Sequence, residues 1–196
     1  MNSTEINNEN FVSRAPKQSE YLVWADCEMT GLDITSDTLV EIAIVVTDSD
    51  LNVVGDGIDI VIQESAEKLD SMQDVVKKMH EKSGLTKEIL KSNISVGEAE
   101  EKCLEYLKGF GIKGGSAPLC GNSIGVDRRF LDKYMPKLEF FLHYRSVDVS
   151  SIKELCRRWY PDIYSKRPEK KGSHRALDDI LGSIEEMKYY RENVFI

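Results

Sequence analysis

The chain has 196 residues, 41% of them hydrophobic and 31% charged, and its formal net charge is −8. This length predicts one domain with a substantial core, and the lack of any apolar run of about eighteen residues excludes a transmembrane helix. The acidic balance argues against a protein that holds long nucleic acid through a broad basic surface.

The charge is unevenly distributed along the chain. Residues 1–112 carry 10 Lys and Arg against 22 Asp and Glu, whereas residues 113–196 carry 16 against 12. Local basic clusters on an acidic protein suit a short ligand with few phosphates, although most such clusters are simply solvated surface.

The first twenty residues are polar and include three glutamates. They fit neither a secretory signal, which needs an apolar centre, nor an Arg-rich transit peptide. We expect a flexible tail over residues 1–19 and a single domain over residues 20–196. The cytoplasm is the predicted compartment, with mitochondria as the alternative.

The cysteines are scattered and form no CxxC pair, which argues against a zinc site or a disulfide framework. Reduced, mostly buried thiols are therefore expected at Cys27, Cys103, Cys120 and Cys156.

The first half of the domain begins with three strands, predicted over residues 21–27, 38–48 and 53–62. Their short connections favour an antiparallel meander. Apolar residues at helical spacing follow over residues 69–92 and predict helical structure there. A capping box formed by Ser95 and Glu98 then opens a helix that ends near Gly109.

The second half alternates strands and helices. We predict strands at residues 117–120 and 144–149, and a helix over residues 126–134 that stops before Pro136. A second capping box at Ser151 and Glu154 opens a helix ending at Pro161. Residues 162–172 are expected to form a mobile loop. The last helix runs from about Ser173 to Asn193, and its buried stripe is Leu177, Ile180, Leu181 and Ile184. This pattern predicts an α/β fold with helices flanking a mixed sheet, a three-strand meander plus parallel strands.

Two carboxylates close the first predicted strand. Asp26 and Glu28 are two residues apart, so both side chains leave the strand on one side. Like charges placed together are costly unless a cation neutralises them, and Mg²⁺ prefers carboxylate oxygens. A strand end that has simply reached solvent is the alternative, and a bare D-x-E favours it.

Further polar residues follow in the second half. Asp127 comes after a glycine-rich loop at a helix start, where an acid is often only a cap. His174 precedes the last helix and could accept a proton from water. Helix geometry does not distinguish Asp178 from Asp179 as a ligand.

Together these elements, in the order D-x-E, Asp127 and H-x-A-x-x-D, resemble the DEDDh exonuclease family. Longer motifs extend the resemblance from about Tyr21 to Ile196, toward members that act on very short RNA: W-A-D-C-E-M-T-G-L, L-C-G-N-S-I-G-V-D-R-R-F-L, H-Y-R-S-V-D-V-S and S-H-R-A-L-D-D-I. The stretch K-E-L-C-R-R-W-Y-P resembles the eukaryotic members. The resemblance implies a ribonuclease-H-like fold and two divalent cations, Mg²⁺ or Mn²⁺.

The resemblance also implies individual roles. The metal ligands are expected to be Asp26, Glu28, Asp127 and Asp179, with His174 as the general base. Substrate-binding roles are expected for Leu32, which wedges between two bases, for Ser123, Arg145 and Ser150, which hold a 5′ phosphate, and for Tyr144 and His80, which reach across a homodimer interface. Without the resemblance, Leu32 could be core, Ser150 a helix cap and Tyr144 an ordinary strand aromatic.

One position departs from the family pattern. Where relatives commonly carry a tryptophan that stacks on a base, this chain has Val75, and stacking contributes about 1–3 kcal/mol per base. Met72 or Met79 could fill the space.

The expected activity is 3′→5′ hydrolysis of short RNA, chiefly 5′-phosphorylated dinucleotides, to nucleoside 5′-monophosphates. The expected partners are short RNA and a second copy of the chain, with no membrane and no long duplex. A general exonuclease that trims longer RNA or DNA and a catalytically inactive nucleic-acid-binding module are the alternatives.

Overall fold

The computed structural model describes residues 19–169 and 175–195. In that part of the chain, five strands form one mixed sheet in the order β3-β2-β1-β4-β5. The first three, β1 (Leu22–Met29), β2 (Leu39–Thr47) and β3 (Val53–Val61), form the expected antiparallel meander. The short strands β4 (Pro118–Gly121) and β5 (His143–Asp148) add in parallel beside β1. The predicted α/β fold class and mixed sheet are confirmed.

The described helices flank this sheet and, in chain order, are α1 (Ala66–Asp70), α2 (Asp74–Ser83), α3 (Leu85–Lys91), α4 (Val96–Gly109), α5 (Gly125–Tyr134), α6 (Pro136–Phe141), α7 (Val149–Trp159), α8 (Pro161–Ser165) and α9 (Ala176–Asn193). None is both long and apolar enough to cross a bilayer, as far as the described residues extend.

The sheet is covered on both faces, which explains why every residue of β2 is buried. Alternate side chains of β2 enter two different cores. Ile42, Ile44 and Val46 pack with α4, α5 and α6, whereas Ala43 and Val45 pack with α7 and α9. A strand that is buried on both sides has apolar residues at most of its positions, and the sequence of β2 shows this pattern. The four cysteines lie buried in these cores as free thiols, as expected.

The Ser95–Glu98 capping box is present as predicted. The second predicted capping box is wrong, because α7 begins at Val149 and Asp148 is its N-cap. The Asp148 side chain accepts a hydrogen bond from Ser150 N, while Glu154 pairs with Arg157 and Arg158. Asp148 already stands at the end of β5, so the helix cap lies three residues earlier than expected.

Three other boundaries also differ. The predicted helical stretch over residues 69–92 is divided into three helices, and Gly84, with φ +83°, makes the turn between α2 and α3. Within the predicted loop over residues 162–172, Pro161–Ser165 forms α8, since proline suits a first helical position. Residues 170–174, including the expected helix start at Ser173, lie outside the described residues.

Candidate active site

The end of β1 and the start of α9 bring three carboxylates together. Asp26, Glu28 and Asp179 each offer an oxygen, and these oxygens lie within 4.8 Å of one another. Asp26 and Glu28 share a side because side chains alternate along β1. Asp179 belongs to the first turn of α9, where the helix dipole stabilises a negative charge.

The helix orientation distinguishes the two neighbouring aspartates. Asp179 belongs to the carboxylate cluster, whereas Asp178 is exposed and lies near Asp59, whose pKa is raised chiefly by burial and only slightly by the charge of Asp178. Helix geometry alone had not shown which of these two aspartates is the ligand. The structure brings Asp179 to the cluster.

Asp127 lies beside the same strand but outside the group of three. Its Oδ1 accepts a hydrogen bond of 3.0 Å from Cys27 N, the backbone amide between Asp26 and Glu28. Burial raises the pKa of Asp127 to about 6, and the charge of Glu28 adds to that shift. A carboxyl buried beside other carboxylates gains most from a bound cation, and carboxylate oxygens suit hard divalent ions. The residues present therefore fit a divalent metal.

Two of the residues expected to bind a 5′ phosphate are in contact. The hydroxyls of Ser123 and Ser150 lie 3.0 Å apart, and both backbone amides donate to Asp148 Oδ1, at 3.0 and 2.8 Å. Ser123 adopts a left-handed conformation with φ +58°. Ser150 is not the helix cap, because Asp148 fills that role. Arg145 is exposed and its Nε donates to the Tyr144 hydroxyl at 3.1 Å.

Leu32 is 68% exposed, so the alternative that it belongs to the core is wrong. It follows Gly31, where a Cβ atom would collide with the Asp37 carboxylate. The loop after β1 that carries Leu32 is held to α5 by two hydrogen bonds. The Tyr134 hydroxyl donates to Asp37 O, and Lys133 Nζ donates to Ile34 O. Leu32 is thus a surface leucine on a braced loop.

The remaining residues that were expected to contact the substrate differ in how exposed they are. Tyr144 is 78% exposed on the edge strand β5, whereas His80 is fully buried in its own chain with Nε2 3.4 Å from Glu28 Oε2. No part of the His80 side chain is accessible within its own chain, and the expectation that it reaches a partner's site stays a prediction. Val75 is 70% exposed, and Met72 packs in a buried cluster with Leu69, so Met72 does not fill the missing aromatic's place. His174 lies outside the described residues.

Sequence reasoning missed a polar connection between the serines and α9. Asn122 Oδ1 accepts from Ser150 Oγ at 3.0 Å, and its Nδ2 donates to Ser183 Oγ at 2.7 Å. Ser183 in turn donates to the Asp179 carbonyl at 2.8 Å. The only sequence signal was the position of Asn122 at the end of a strand.

The chain matches the RNase T exonuclease family over residues 23–187. Solved structures with the same fold include the zinc-bound exonuclease I–single-stranded DNA complex of E. coli (TM-score 0.69, 15% identity, 90% of this chain and 41% of that chain) and exonuclease I of Methylocaldum szegediense (TM-score 0.65, 19% identity, 90% and 41%). This chain thus spans about two fifths of those proteins. Fold and family together define an enzyme of the exonuclease class.

Its sequence is also similar to bacterial oligoribonucleases. That of Leifsonia xyli is 57% identical over 178 residues (91% of this chain, 86% of the relative), and that of Rhodococcus jostii is 57% identical over 175 residues (89% and 88%). That of Mycobacterium sp. strain KMS is 56% identical over 175 residues (89% and 81%). The chain therefore belongs to the oligoribonucleases within the exonuclease family. The particular likeness to eukaryotic members stays a prediction.

Proposed function

We propose that this chain is a metal-dependent 3′→5′ exoribonuclease that converts short oligoribonucleotides, chiefly 5′-phosphorylated dinucleotides, to nucleoside 5′-monophosphates. The observation that carries the proposal is the meeting of Asp26, Glu28 and Asp179 in a chain related to oligoribonucleases.

The metal ligands we propose are these three carboxylates and Asp127. Two bound Mg²⁺ or Mn²⁺ ions would supply Lewis-acid stabilisation of the charge that develops on the attacking and leaving oxygens. Asp127 is tied to β1 through Cys27 N, so its carboxylate and those of Asp26 and Glu28 are positioned by one strand. His174, as the proposed general base, would accept the proton of the attacking water.

The proposed length selection rests on Ser123, Ser150 and Arg145. The serine hydroxyls already lie together, and Arg145 could hold a terminal phosphate through a bidentate fork. A terminal phosphate carries more charge than an internal diester. A pocket closed around the terminal phosphate would disfavour longer RNA. The net charge of −8 agrees with this, because an acidic protein is poorly suited to binding a long RNA backbone.

We further propose that the working unit is a C₂ homodimer in which Tyr144 contributes to the partner's site. Tyr144 and Phe140 are 78% and 89% exposed and line one groove of about 1110 Å³. Two large side chains exposed this fully on adjacent elements are typical of a protein–protein contact. We assign the unit to the cytoplasm; the predicted tail lies outside the described residues except for Ser19, whose backbone amide donates to Ser116 O at 3.0 Å.

The test is a kcat/KM series on 5′-phosphorylated RNA of two to ten residues, with Mg²⁺, with Mn²⁺ and with excess EDTA. The dinucleotide should be the best substrate, and chelation should abolish hydrolysis. A flat length profile would favour a general exonuclease. Metal-dependent binding without hydrolysis would favour an inactive binding module.

A further inference from the structure

His80 is a buried polar group, and within residues 19–169 and 175–195 neither of its ring nitrogens has a hydrogen-bond partner. It lies in the last turn of α2, and none of its side-chain surface is accessible. Buried polar groups in folded proteins almost always have partners, so an exception requires an explanation. Glu28 lies close to this side chain, with Oε2 3.4 Å from His80 Nε2.

Glu28 stands in a strongly acidic environment. Its carboxylate belongs to the cluster with Asp26 and Asp179, whose oxygens lie within 4.8 Å of one another. Its side chain is about nine-tenths buried. A carboxylate in this position is repelled by its neighbours, and a hydrogen-bond donor beside it would help to hold it in one orientation.

We propose that His80 is a positioning residue for the cation site. With a proton on Nε2, the imidazole holds Glu28 Oε2 and so presents the carboxylate to the cation in one orientation. Metal-ligating carboxylates commonly depend on such hydrogen-bonded supports, and loss of a support weakens metal affinity about 10–100-fold. The contact of 3.4 Å is longer than an ordinary N–H···O bond, so the inference rests on the proximity of Nε2 to Oε2 together with the complete burial of the imidazole.

This inference rests on the proposed metal-dependent function and differs from the substrate-binding role that family resemblance suggests for His80. A support for Glu28 changes metal affinity, whereas a substrate contact changes the KM for RNA. The two roles are therefore separable by measurement.

The experiment compares four variants of the full chain: His80→Leu, His80→Gln, His80→Asn and, as control, Thr86→Val. Glutamine places an amide nitrogen near the position of Nε2, whereas asparagine places it near Nδ1. Thr86 lies on the adjacent α3, and its hydroxyl is also buried without a hydrogen-bond partner in the part of the chain that the structure describes. Its removal therefore controls for loss of an unpaired polar atom.

The readouts are Mn²⁺ affinity without RNA, by calorimetry, and kcat and KM for a dinucleotide across Mn²⁺ concentrations. We expect His80→Leu and His80→Asn to weaken Mn²⁺ binding about tenfold or more. Excess Mn²⁺ should restore kcat, and KM should be unchanged. His80→Gln and Thr86→Val should bind Mn²⁺ like the wild type.

Wild-type Mn²⁺ affinity in His80→Asn, or a raised KM with unaltered Mn²⁺ affinity, would overturn the inference. If His80→Leu does not fold, the contrast between Gln and Asn still decides. A wild-type protein that binds no Mn²⁺ would instead overturn the proposed function itself.

Discussion

Arg175 reaches Glu41 from the far end of the chain and neutralises it inside the protein. Arg175 Nη2 lies 2.7 Å from Glu41 Oε1, and the Glu41 side chain is fully buried. Glu41 Oε2 also accepts from Ala176 N at 3.2 Å, and the same Nη2 of Arg175 donates to Glu88 Oε2 at 2.8 Å. Because Arg175 immediately precedes α9, this ion pair fixes the start of the helix that carries Asp179.

Replacing Arg175 with methionine should therefore be strongly destabilising. Burial raises the pKa of Glu41, whereas Arg175 lowers it. Removing the arginine therefore leaves a buried carboxyl without its ion-pair partner. Breaking one side of a buried pair costs about 3–5 kcal/mol. Denaturant unfolding should show a loss of this size.

Arg191→Ala is the matched control, because Arg191 pairs with Asp50 at 2.6 Å on the surface. A surface pair contributes about 0–1 kcal/mol, so its loss should hardly change the unfolding free energy. Equal losses in the two variants would contradict the role given to Arg175.

The two neighbouring aspartates provide a second test. Asp179→Asn should reduce kcat by orders of magnitude and weaken Mn²⁺ binding, because it removes a carboxylate from the group within 4.8 Å. Asp178→Asn is the internal control, since this side chain is exposed. It should retain most of the activity. Greater damage from Asp178→Asn would mean that the wrong member of the pair had been assigned.

The contrast between these residues shows what the sequence could predict. The shared side of Asp26 and Glu28 follows from the period of a strand, which holds whatever packs around it. The orientation of α9 depends on tertiary packing. Leu181, expected in the buried stripe, is 41% exposed, whereas Ser183, Glu186 and Tyr190 of the same helix are buried. Choosing Asp179 over Asp178 therefore required the resemblance or the structure.

Long-range partners could not be predicted at all. Arg175 is 134 residues from Glu41 and 87 from Glu88, and no local pattern joins them. The contact of His80 with Glu28 likewise depends on how α2 lies against the sheet. Local signals such as the Ser95–Glu98 capping box were reliable because both partners lie within one helical turn.

Proton competition at Asp127 gives a third prediction. Burial raises the pKa of this carboxyl to about 6, so the metal-free protein holds the proton up to that pH. A cation must displace the proton, and therefore Mn²⁺ affinity should be constant above about pH 7 and fall as the pH drops through 6. Calorimetry between pH 5 and 8 tests this. Asp127→Asn should bind Mn²⁺ more weakly and without this step, and an identical step in the variant would assign it to another group.

Phosphate recognition gives a fourth prediction. Ser150 donates its hydroxyl proton to Asn122, so Ser123 must be the donor between the two serines. Ser150→Ala removes the hydroxyl that accepts from Ser123 and so disturbs the serine pair, and Arg145→Ala removes the proposed bidentate phosphate donor. Both should lower kcat/KM for 5′-phosphorylated dinucleotide more than for a pentamer or for unphosphorylated dinucleotide. Arg145→Lys should not restore the preference, because lysine lacks the planar fork. Equal losses on all substrates would show that these residues do not recognise the 5′ phosphate.

The last prediction concerns the exposed Tyr144 on β5. If Tyr144 acts across a dimer, Tyr144→Ala and Asp26→Asn should each be nearly inactive alone but complement each other when mixed. In a mixed dimer, one site combines an intact Asp26 with an intact Tyr144 of the other subunit, and the second site lacks both. Free exchange of equal amounts makes half of the dimers mixed, so about one quarter of the wild-type activity should return. The measurement is dinucleotide hydrolysis before and after subunit exchange, with sedimentation to verify the dimer. Absence of recovery in a verified mixed dimer would mean that Tyr144 serves its own chain, and a fully active monomer would contradict the dimeric site altogether.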